Sequence, residues 1–122
     1  HIKEAAKQAI DDNFSRYSPV PGYPALRNAI VEKLKNENGL EFKETQISVS
    51  NGAKQAVCNA IMALVNPGDE VIVPAPYWVS YPSMVELCGG TPVFVETKAE
   101  NGWKITPEEF ENAMTPRTKM IF

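Results

Sequence analysis

The sequence predicts an α/β fold: a partial three-layer α/β/α sandwich whose sheet is mostly parallel. First, segments with helical apolar spacing alternate with short β-branched segments along the chain. Second, residues 71–73 read Val-Ile-Val, an apolar run typical of a strand buried on both faces. Third, turn-forming Asn, Pro, Gly and Asp separate these segments. Parallel strands are joined by right-handed crossovers that place helices on the faces of the sheet.

The first 50 residues are predicted to contain two helices and one strand. Residues 2–13 form a helix because their apolar side chains recur every three to four positions. After a loop over residues 15–23, a second helix covers roughly residues 23–36, with Pro24 in a permitted first-turn position and Gly39 as its left-handed cap. Residues 46–50 read Gln-Ile-Ser-Val-Ser, which favours a short strand.

The remainder alternates regularly between helix and strand. Gly52 opens a helix with an apolar stripe, and Thr106 is predicted to cap another because a proline and two acidic residues follow it. The other predicted elements are a strand at 70–74, a loop and helix at 76–87, a strand at 91–97, a short strand at 103–105, a helix at 107–114 and a strand at 119–122. This order predicts a single partial domain over residues 1–122.

Composition and charge exclude several classes of function. The net charge of −3 argues against a nucleic-acid surface, which requires clustered positive charge. No apolar run approaches the roughly 20 residues of a membrane-spanning helix, so we expect no membrane partner. The only histidine is His1, which rules out Ser/His/Asp and Cys/His arrangements within this sequence. No cluster of metal-ligand residues is found, so no metal site is predicted.

The cysteines indicate the redox compartment of the protein, and the two ends of the sequence indicate that it is part of a longer one. Cys58 and Cys88 have neither zinc nor redox spacing, which indicates reduced thiols in a cytoplasmic protein. The sequence opens inside a helical pattern and stops in a strand pattern, which predicts a fragment of a longer protein. Since a sheet cut after a few strands exposes its edges, we expect this fragment to self-associate.

Three segments could bind a ligand. In residues 49–55 a short β-prone run leads through Gly52 into a helix, whose N-terminal amides can bind an anion. Residues 74–82 follow the Val-Ile-Val strand and carry Tyr77, Trp78 and Tyr81, which can stack on a planar ring. Residues 16–27 present Tyr17, whose phenol can hydrogen-bond an anion, from a rigid Pro/Gly loop. Taken singly, the first and third segments also fit ordinary structural turns, and the second fits the lead-in to a helix whose aromatic side chains pack on the core.

Together these segments resemble one family, the class I (fold-type I) pyridoxal-phosphate aminotransferases, and most closely the bacterial aspartate aminotransferases. The resemblance covers nearly the whole sequence and implies part of the large cofactor-binding domain of that fold. Four motifs carry it, in the family's order: Y-x-x-x-x-G-x-x-x-L-R at 17–27, SNGAKQA at 50–56, NPGDEV at 66–71 and PYWVSYP at 76–82.

The resemblance implies a role for five residues. Backbone amides of Gly52, Ala53 and Lys54 are expected to hold the phosphate of pyridoxal 5'-phosphate, and Trp78 to stack on its pyridine ring. Tyr17 is expected to reach the phosphate bound by the neighbouring subunit of a homodimer. No catalytic residue is assigned here, because the family's Schiff-base lysine and substrate arginine match no position of this sequence. We therefore expect the 122-residue chain alone to be inactive.

The implied activity of the parent protein is transfer of an amino group between an amino acid and a 2-oxo acid. Aspartate and 2-oxoglutarate are the favoured pair, and an aromatic or alanine-type aminotransferase is the next interpretation. A different class remains open, namely a non-enzymatic α/β module that binds a phosphate ligand.

Overall fold

The computed structural model describes every residue from His1 to Phe122. Residue contacts divide the chain into two units, His1–Asn51 and Gly52–Phe122, which are described separately. The first unit is helical. It contains α1 (Ile2–Asp11), α2 (Pro24–Asn38) and a single 3-10 turn at Glu44–Gln46. Both predicted helices are therefore confirmed.

Within the first unit, α2 ends as the sequence predicts. Gly39 adopts a left-handed conformation with φ 66°, and the N–H of Leu40 donates to the carbonyl of Leu34 at 3.1 Å. An ion pair between Arg27 and Glu44 joins α2 to the 3-10 turn. These contacts hold the unit's longest helix against the segment that follows it.

The strand predicted at residues 46–50 is wrong. Gln46 ends the 3-10 turn, and residues 47–50 are irregular. The segment makes one backbone hydrogen bond to the preceding loop, from the N–H of Val49 to the carbonyl of Pro21 at 3.0 Å. A strand requires a ladder of such bonds with a neighbouring strand. One isolated bond leaves this β-prone run irregular.

The second unit is a parallel α/β arrangement, which confirms the predicted fold class. Its elements are α3 (Ala53–Leu64), β1 (Glu70–Ala75), α4 (Ser80–Leu87), β2 (Thr91–Glu96), α5 (Pro107–Ala113) and β3 (Thr118–Ile121). The three strands are parallel and lie in the order β2-β1-β3, with Glu70 opposite both Thr91 and Thr118. The strands' carboxyl ends therefore meet at one edge of the sheet.

The core of this unit forms around the central strand. Val71, Ile72 and Val73 of β1 are fully buried. Val71 belongs to a cluster with Ile61 of α3 and Val85 of α4. The β1–β2 and β2–β3 connections run in opposite directions across the sheet. Because such crossovers are right-handed, α4 and α5 lie on opposite faces, which gives the layered arrangement.

The short strand predicted at residues 103–105 is also wrong. Gly102 and Trp103 both have left-handed backbones, with φ 63° and 59°, and the N–H of Trp103 donates to the carbonyl of Lys98 at 3.0 Å. Two successive left-handed residues close a turn and cannot continue as a strand. The next element confirms its prediction: Thr106 caps α5, with reciprocal hydrogen bonds to Glu109 of 3.2 and 2.9 Å.

Two further observations concern membrane-spanning helices and the cysteines. None of the helices combines the length and the apolarity that a bilayer crossing needs. Cys58 and Cys88 are both half-buried and unpaired.

Candidate functional site

The strongest candidate site is a cavity of about 250 Å³ in the second unit. It lies between the N-terminal turns of α3 and the segment that joins β1 to α4. Two of the three segments chosen from the sequence thus meet at one place. The lining residues are Ala53, Lys54, Val57, Trp78, Tyr81 and Met84.

One end of the cavity is the N-terminus of α3. Gly52 caps this helix with φ 86° and ψ 164°, a combination that only glycine adopts readily, and its carbonyl accepts from Ala56 N at 3.2 Å. The N–H groups of a helix's first turn have no acceptor within the helix, and the helix dipole is positive there. This end of the cavity therefore favours an anionic group that approaches Ala53 and Lys54.

The indole ring of Trp78 also lines the cavity. The indole Nε1 of Trp78 donates to the hydroxyl oxygen of Ser80 at 3.1 Å, and the backbone carbonyl of Trp78 accepts from the N–H of Tyr81 at 3.0 Å. These bonds fix both the ring edge and the backbone at the start of α4. The residue nevertheless keeps 60% of its surface exposed. A fixed and exposed aromatic ring beside a cavity can stack on a planar ligand.

A positive charge lies near this ring. The Nζ atom of Lys54 is 6.0 Å from the centre of the Trp78 ring. At this distance the ammonium group is attracted to the ring face. The cavity thus has a cationic side chain beside its aromatic wall, close to the helix N-terminus. Both features raise its preference for a ligand with a negatively charged group.

The remaining lining is apolar or aromatic. Val57 and Met84 are half-buried against the core cluster of the unit. Tyr81 stacks on Phe122, with ring centres 4.2 Å apart and an angle of 9° between the rings. This lining favours contact with an apolar ring surface. The arrangement therefore suits a flat ring that carries an anionic substituent.

Three residues singled out from the sequence, Ala53, Lys54 and Trp78, line this cavity, whereas Gly52 is not among the lining residues. Their role in binding a cofactor stays a prediction. Val57 and Met84 were not singled out from the sequence. Val57 follows Ala53 by one helical turn, so its position could have been inferred from helical spacing. Met84 could not be inferred in this way, because only the packing of α4 brings it to the cavity. Tyr81 was noted as an aromatic of its segment and received no role.

Tyr17 lies in the first unit, and its side chain is fully exposed. It borders an open depression together with Ser15, Arg16 and Ser18. This position leaves its phenol available to a ligand or partner. Its role at the phosphate of a neighbouring subunit stays a prediction.

The titratable groups with lowered pKa lie outside the cavity lining. The pKa of Glu70 is below its ordinary value, first because the Thr115 hydroxyl donates to it and then because Arg117 does. The pKa of Glu109 is lowered chiefly by the backbone N–H of Thr106. No group of three or more His, Cys, Asp or Glu side chains is arranged to hold a metal ion.

Comparison with known proteins gives one consistent family. The family described as aminotransferase class I and II matches residues 1–122. The aspartate/prephenate aminotransferase of Cereibacter sphaeroides is 56% identical over 119 residues, which is 98% of this chain and 30% of that protein. The protein of the same name from Nitrosomonas europaea is 51% identical over 121 residues, 99% of this chain and 30% of its own length.

Solved structures agree with the sequence relatives. The aspartate aminotransferase of Rhizobium meliloti superimposes with a TM-score of 0.96 at 45% identity, covering 99% of this chain and 30% of that one. The Thermus thermophilus enzyme with maleate gives a TM-score of 0.95 at 48% identity, covering 99% and 32%. The chain thus spans about 30% of the length of the curated relatives that it matches.

Proposed function

This chain belongs to the class I and II aminotransferases, and from that premise we propose that it forms the cofactor-binding part of a pyridoxal-phosphate-dependent transaminase. The observation that carries the proposal is the cavity that joins the N-terminus of α3 to the ring of Trp78. It combines an anion site with an aromatic wall. Pyridoxal phosphate is a flat pyridine ring with a phosphate group and therefore has the matching chemistry.

The residues present fit this cofactor in both shape and charge. Gly52 has no side chain, and a Cβ built at that position would meet no other atom within 4 Å, so the space above the helix N-terminus is open. A volume of about 250 Å³ is small for a ligand pocket, as suits a single substituted ring. When bound, pyridoxal phosphate supplies the electron sink that stabilises negative charge at the α-carbon of an amino acid.

The protein's contribution is binding and orientation. Backbone amides at Gly52, Ala53 and Lys54 hold the phosphate, and the helix dipole favours its charge. Trp78 stacks on the pyridine ring and fixes its plane. Met84 adds an apolar surface to the lining of the cavity. None of these groups transfers a proton, so no catalytic role is assigned to them.

The proposed substrates are aspartate as the amino donor and a 2-oxo acid as the acceptor, with 2-oxoglutarate favoured. Support comes from the relatives' names, which combine aspartate with prephenate or give aspartate alone. Prephenate also carries a 2-oxo acid group, so it is the second acceptor to test. Aromatic amino acids and alanine are the alternative donors.

We propose that the parent protein is a cytoplasmic homodimer. The exposed phenol of Tyr17 supports a role at the subunit interface, where it reaches the partner's phosphate group. The unpaired state of Cys58 and Cys88 supports a reducing compartment. Chemical cross-linking of the parent protein tests the dimer, and Tyr17→Phe should weaken phosphate binding without unfolding the protein. A parent that remains monomeric would contradict this arrangement.

The cofactor site can be tested on the 122-residue chain itself. In the Trp103→Phe variant, whose only tryptophan is Trp78, titration with pyridoxal phosphate should quench the fluorescence. Pyridoxal, which lacks the phosphate, should quench it much more weakly. Pyridoxal phosphate should also bind measurably less tightly to Trp78→Ala, as followed by equilibrium dialysis. Equal binding of the two compounds would refute the assignment of the phosphate to the α3 N-terminus.

The transaminase activity requires a separate test. The complete reading frame from the source gene should convert aspartate and 2-oxoglutarate to oxaloacetate and glutamate, and the rate with prephenate, phenylalanine or alanine decides the specificity. The 122-residue chain alone should show no turnover. Turnover by the chain alone would overturn the assignment of a purely binding role to these residues.

A further inference from the structure

Thr97 makes hydrogen bonds to the last residue of β1, just before the segment that lines the cavity. It follows the last residue of β2, and only 6% of its surface is exposed. Its backbone N–H donates to the carbonyl of Ala75 at 3.0 Å, and its hydroxyl donates to the same oxygen. A carbonyl oxygen can accept two hydrogen bonds, and the N–H and hydroxyl of Thr97 together supply both for Ala75. Ala75 is the last residue of β1.

This anchor matters because the neighbouring backbone has few donors. Pro74 and Pro76 flank Ala75, and proline has no N–H to offer. The Ala75 carbonyl is therefore a main attachment between the end of β1 and the rest of the sheet. Three residues later the same chain places the ring of Trp78 at the cavity wall.

A second contact from β2 holds the same segment. The ring of Phe94 stacks on Tyr77, with centres 5.1 Å apart and 23° between the ring planes. The residue immediately before Trp78 is thus held by β2 through its side chain, while Ala75 is held through its carbonyl. Two contacts from one strand restrict both the position and the direction of the chain that enters the cavity wall.

We propose that Thr97 is a positioning residue, which fixes the orientation of the Trp78 ring through the Ala75 carbonyl. The cofactor part of this inference rests on the proposed function, whereas the orientation of Trp78 is a property of the protein without cofactor. The hydroxyl is the deciding group, since valine would fill the same buried space without donating. Serine would keep the donor and lose only a methyl group.

The test uses the fluorescence of Trp78 in the 122-residue chain, with Trp103→Phe as background so that a single tryptophan emits. Thr97→Val should raise the acrylamide quenching constant of Trp78 by about twofold, because loss of one of two bonds loosens the segment. It should also change the near-ultraviolet circular dichroism. Thr97→Ser should restore both signals, and the proposal is overturned if it behaves like Thr97→Val.

Binding of pyridoxal phosphate gives a second readout. Thr97→Val should weaken the binding of pyridoxal phosphate by about tenfold, because loss of the hydroxyl bond to Ala75 displaces the ring of Trp78. Thr97→Ser should bind as the parent chain does. If the Trp78 signals change and this affinity does not, the positioning role of Thr97 stands and the stacking role of Trp78 fails. If neither changes, the positioning role itself is refuted.

Thr115→Val is the matched control. The Thr115 hydroxyl also donates across the fold, to Glu70 at 2.6 Å, at the amino ends of the strands and away from the cavity. This variant should lower the stability of the chain and leave the Trp78 quenching constant unchanged. An equal change of the Trp78 signal in Thr115→Val would show that general loosening explains the effect, and would overturn the proposal.

Discussion

Arg117 donates two hydrogen bonds to one carboxylate oxygen of Glu70, from Nε at 2.9 Å and from Nη2. Thr115 donates to the other oxygen at 2.6 Å, so both oxygens are satisfied. These contacts join β1 to the start of β3 at the point where the register shifts: Glu70 is opposite Thr118, and Val71 is opposite Met120. The side chains therefore secure the pairing of the two strands beside an irregularity that weakens the backbone ladder.

The first prediction concerns the acid stability of this contact. The pKa of Glu70 is lowered in the folded chain, so its carboxylate stabilises the fold above the ordinary carboxyl pKa. That contribution is lost as the pH falls through the lower, folded-state pKa. Glu70→Gln should therefore be less stable than the parent at pH 7, and the difference should shrink as the pH is lowered below the ordinary carboxyl pKa. Urea unfolding followed by circular dichroism measures it.

Glu86→Gln is the control for this experiment. Glu86 lies exposed on α4, and its replacement should change the stability of the chain at pH 7 only slightly. A stability difference for Glu70→Gln that does not change with pH would contradict the interpretation. In that case the negative charge of Glu70 would not contribute to the free energy of unfolding.

The second prediction concerns Gly52. Its backbone at φ 86° and ψ 164° is strained for every residue with a Cβ, so Gly52→Ala should cost about 1–3 kcal/mol of stability. Because a Cβ would meet no atom within 4 Å, the cost comes from the backbone and not from crowding. The relaxed backbone should also move the amides of α3 and weaken binding of pyridoxal phosphate by about tenfold.

Gly39→Ala separates the two effects. Gly39 also has a positive φ, of 66°, and open space around it, so alanine there should cost about 1–2 kcal/mol. It lies at the end of α2, outside the cavity lining, and should leave the affinity for pyridoxal phosphate unchanged. Equal loss of affinity in both variants would show that general destabilisation, and not the geometry of Gly52, controls binding.

Sequence patterns predicted the elements whose causes are local. Residues 71–73 are an uninterrupted apolar run, and the strand they form is fully buried. Thr106 and Glu109 are three positions apart, which is the spacing of the capping box they form. The prediction of a strand at residues 46–50 was wrong because a strand needs a neighbouring strand to pair with. The sequence of one segment does not reveal whether such a neighbour is present.

Part of the cavity lining could be singled out from the sequence. Ala53, Lys54 and Trp78 lie in motifs of the family that the sequence resembles, and all three line the cavity. Their role in binding a cofactor stays a prediction. Thr97 was missed because its contact joins residues 22 positions apart and depends on the register in which β1 pairs with β2. Parallel register is set by packing across the whole sheet, so no short pattern around Thr97 indicates it.

The third prediction concerns crowding at Gly90. A Cβ there would lie 2.7 Å from Cγ1 of Val65 and 3.0 Å from Cγ1 of Val85, both in the core cluster. Gly90→Ala should therefore lower the free energy of unfolding by about 1–3 kcal/mol. The double variant with Val65→Ala removes the closest atom, so its loss should be smaller than the sum of the two single losses. Additive losses in urea unfolding would contradict this steric account.

The fourth prediction separates the two sources of positive potential in the cavity. Lys54→Gln removes the charge near Trp78 and keeps the backbone amide of that position in the first turn of α3. Because the side chain is exposed, the affinity for pyridoxal phosphate should fall only about two- to fivefold, and Lys54→Arg should retain it.

Salt provides an independent check on Lys54. In about 1 M salt, where exposed charges are screened over roughly 3 Å, the affinity of the parent chain should fall by a larger factor than that of Lys54→Gln, because the variant loses only the part that comes from the helix N-terminus. Equilibrium dialysis at low and high salt measures both. Complete loss of binding in Lys54→Gln would instead assign the phosphate to the ammonium group, because the amides of the helix N-terminus are the same in the two proteins.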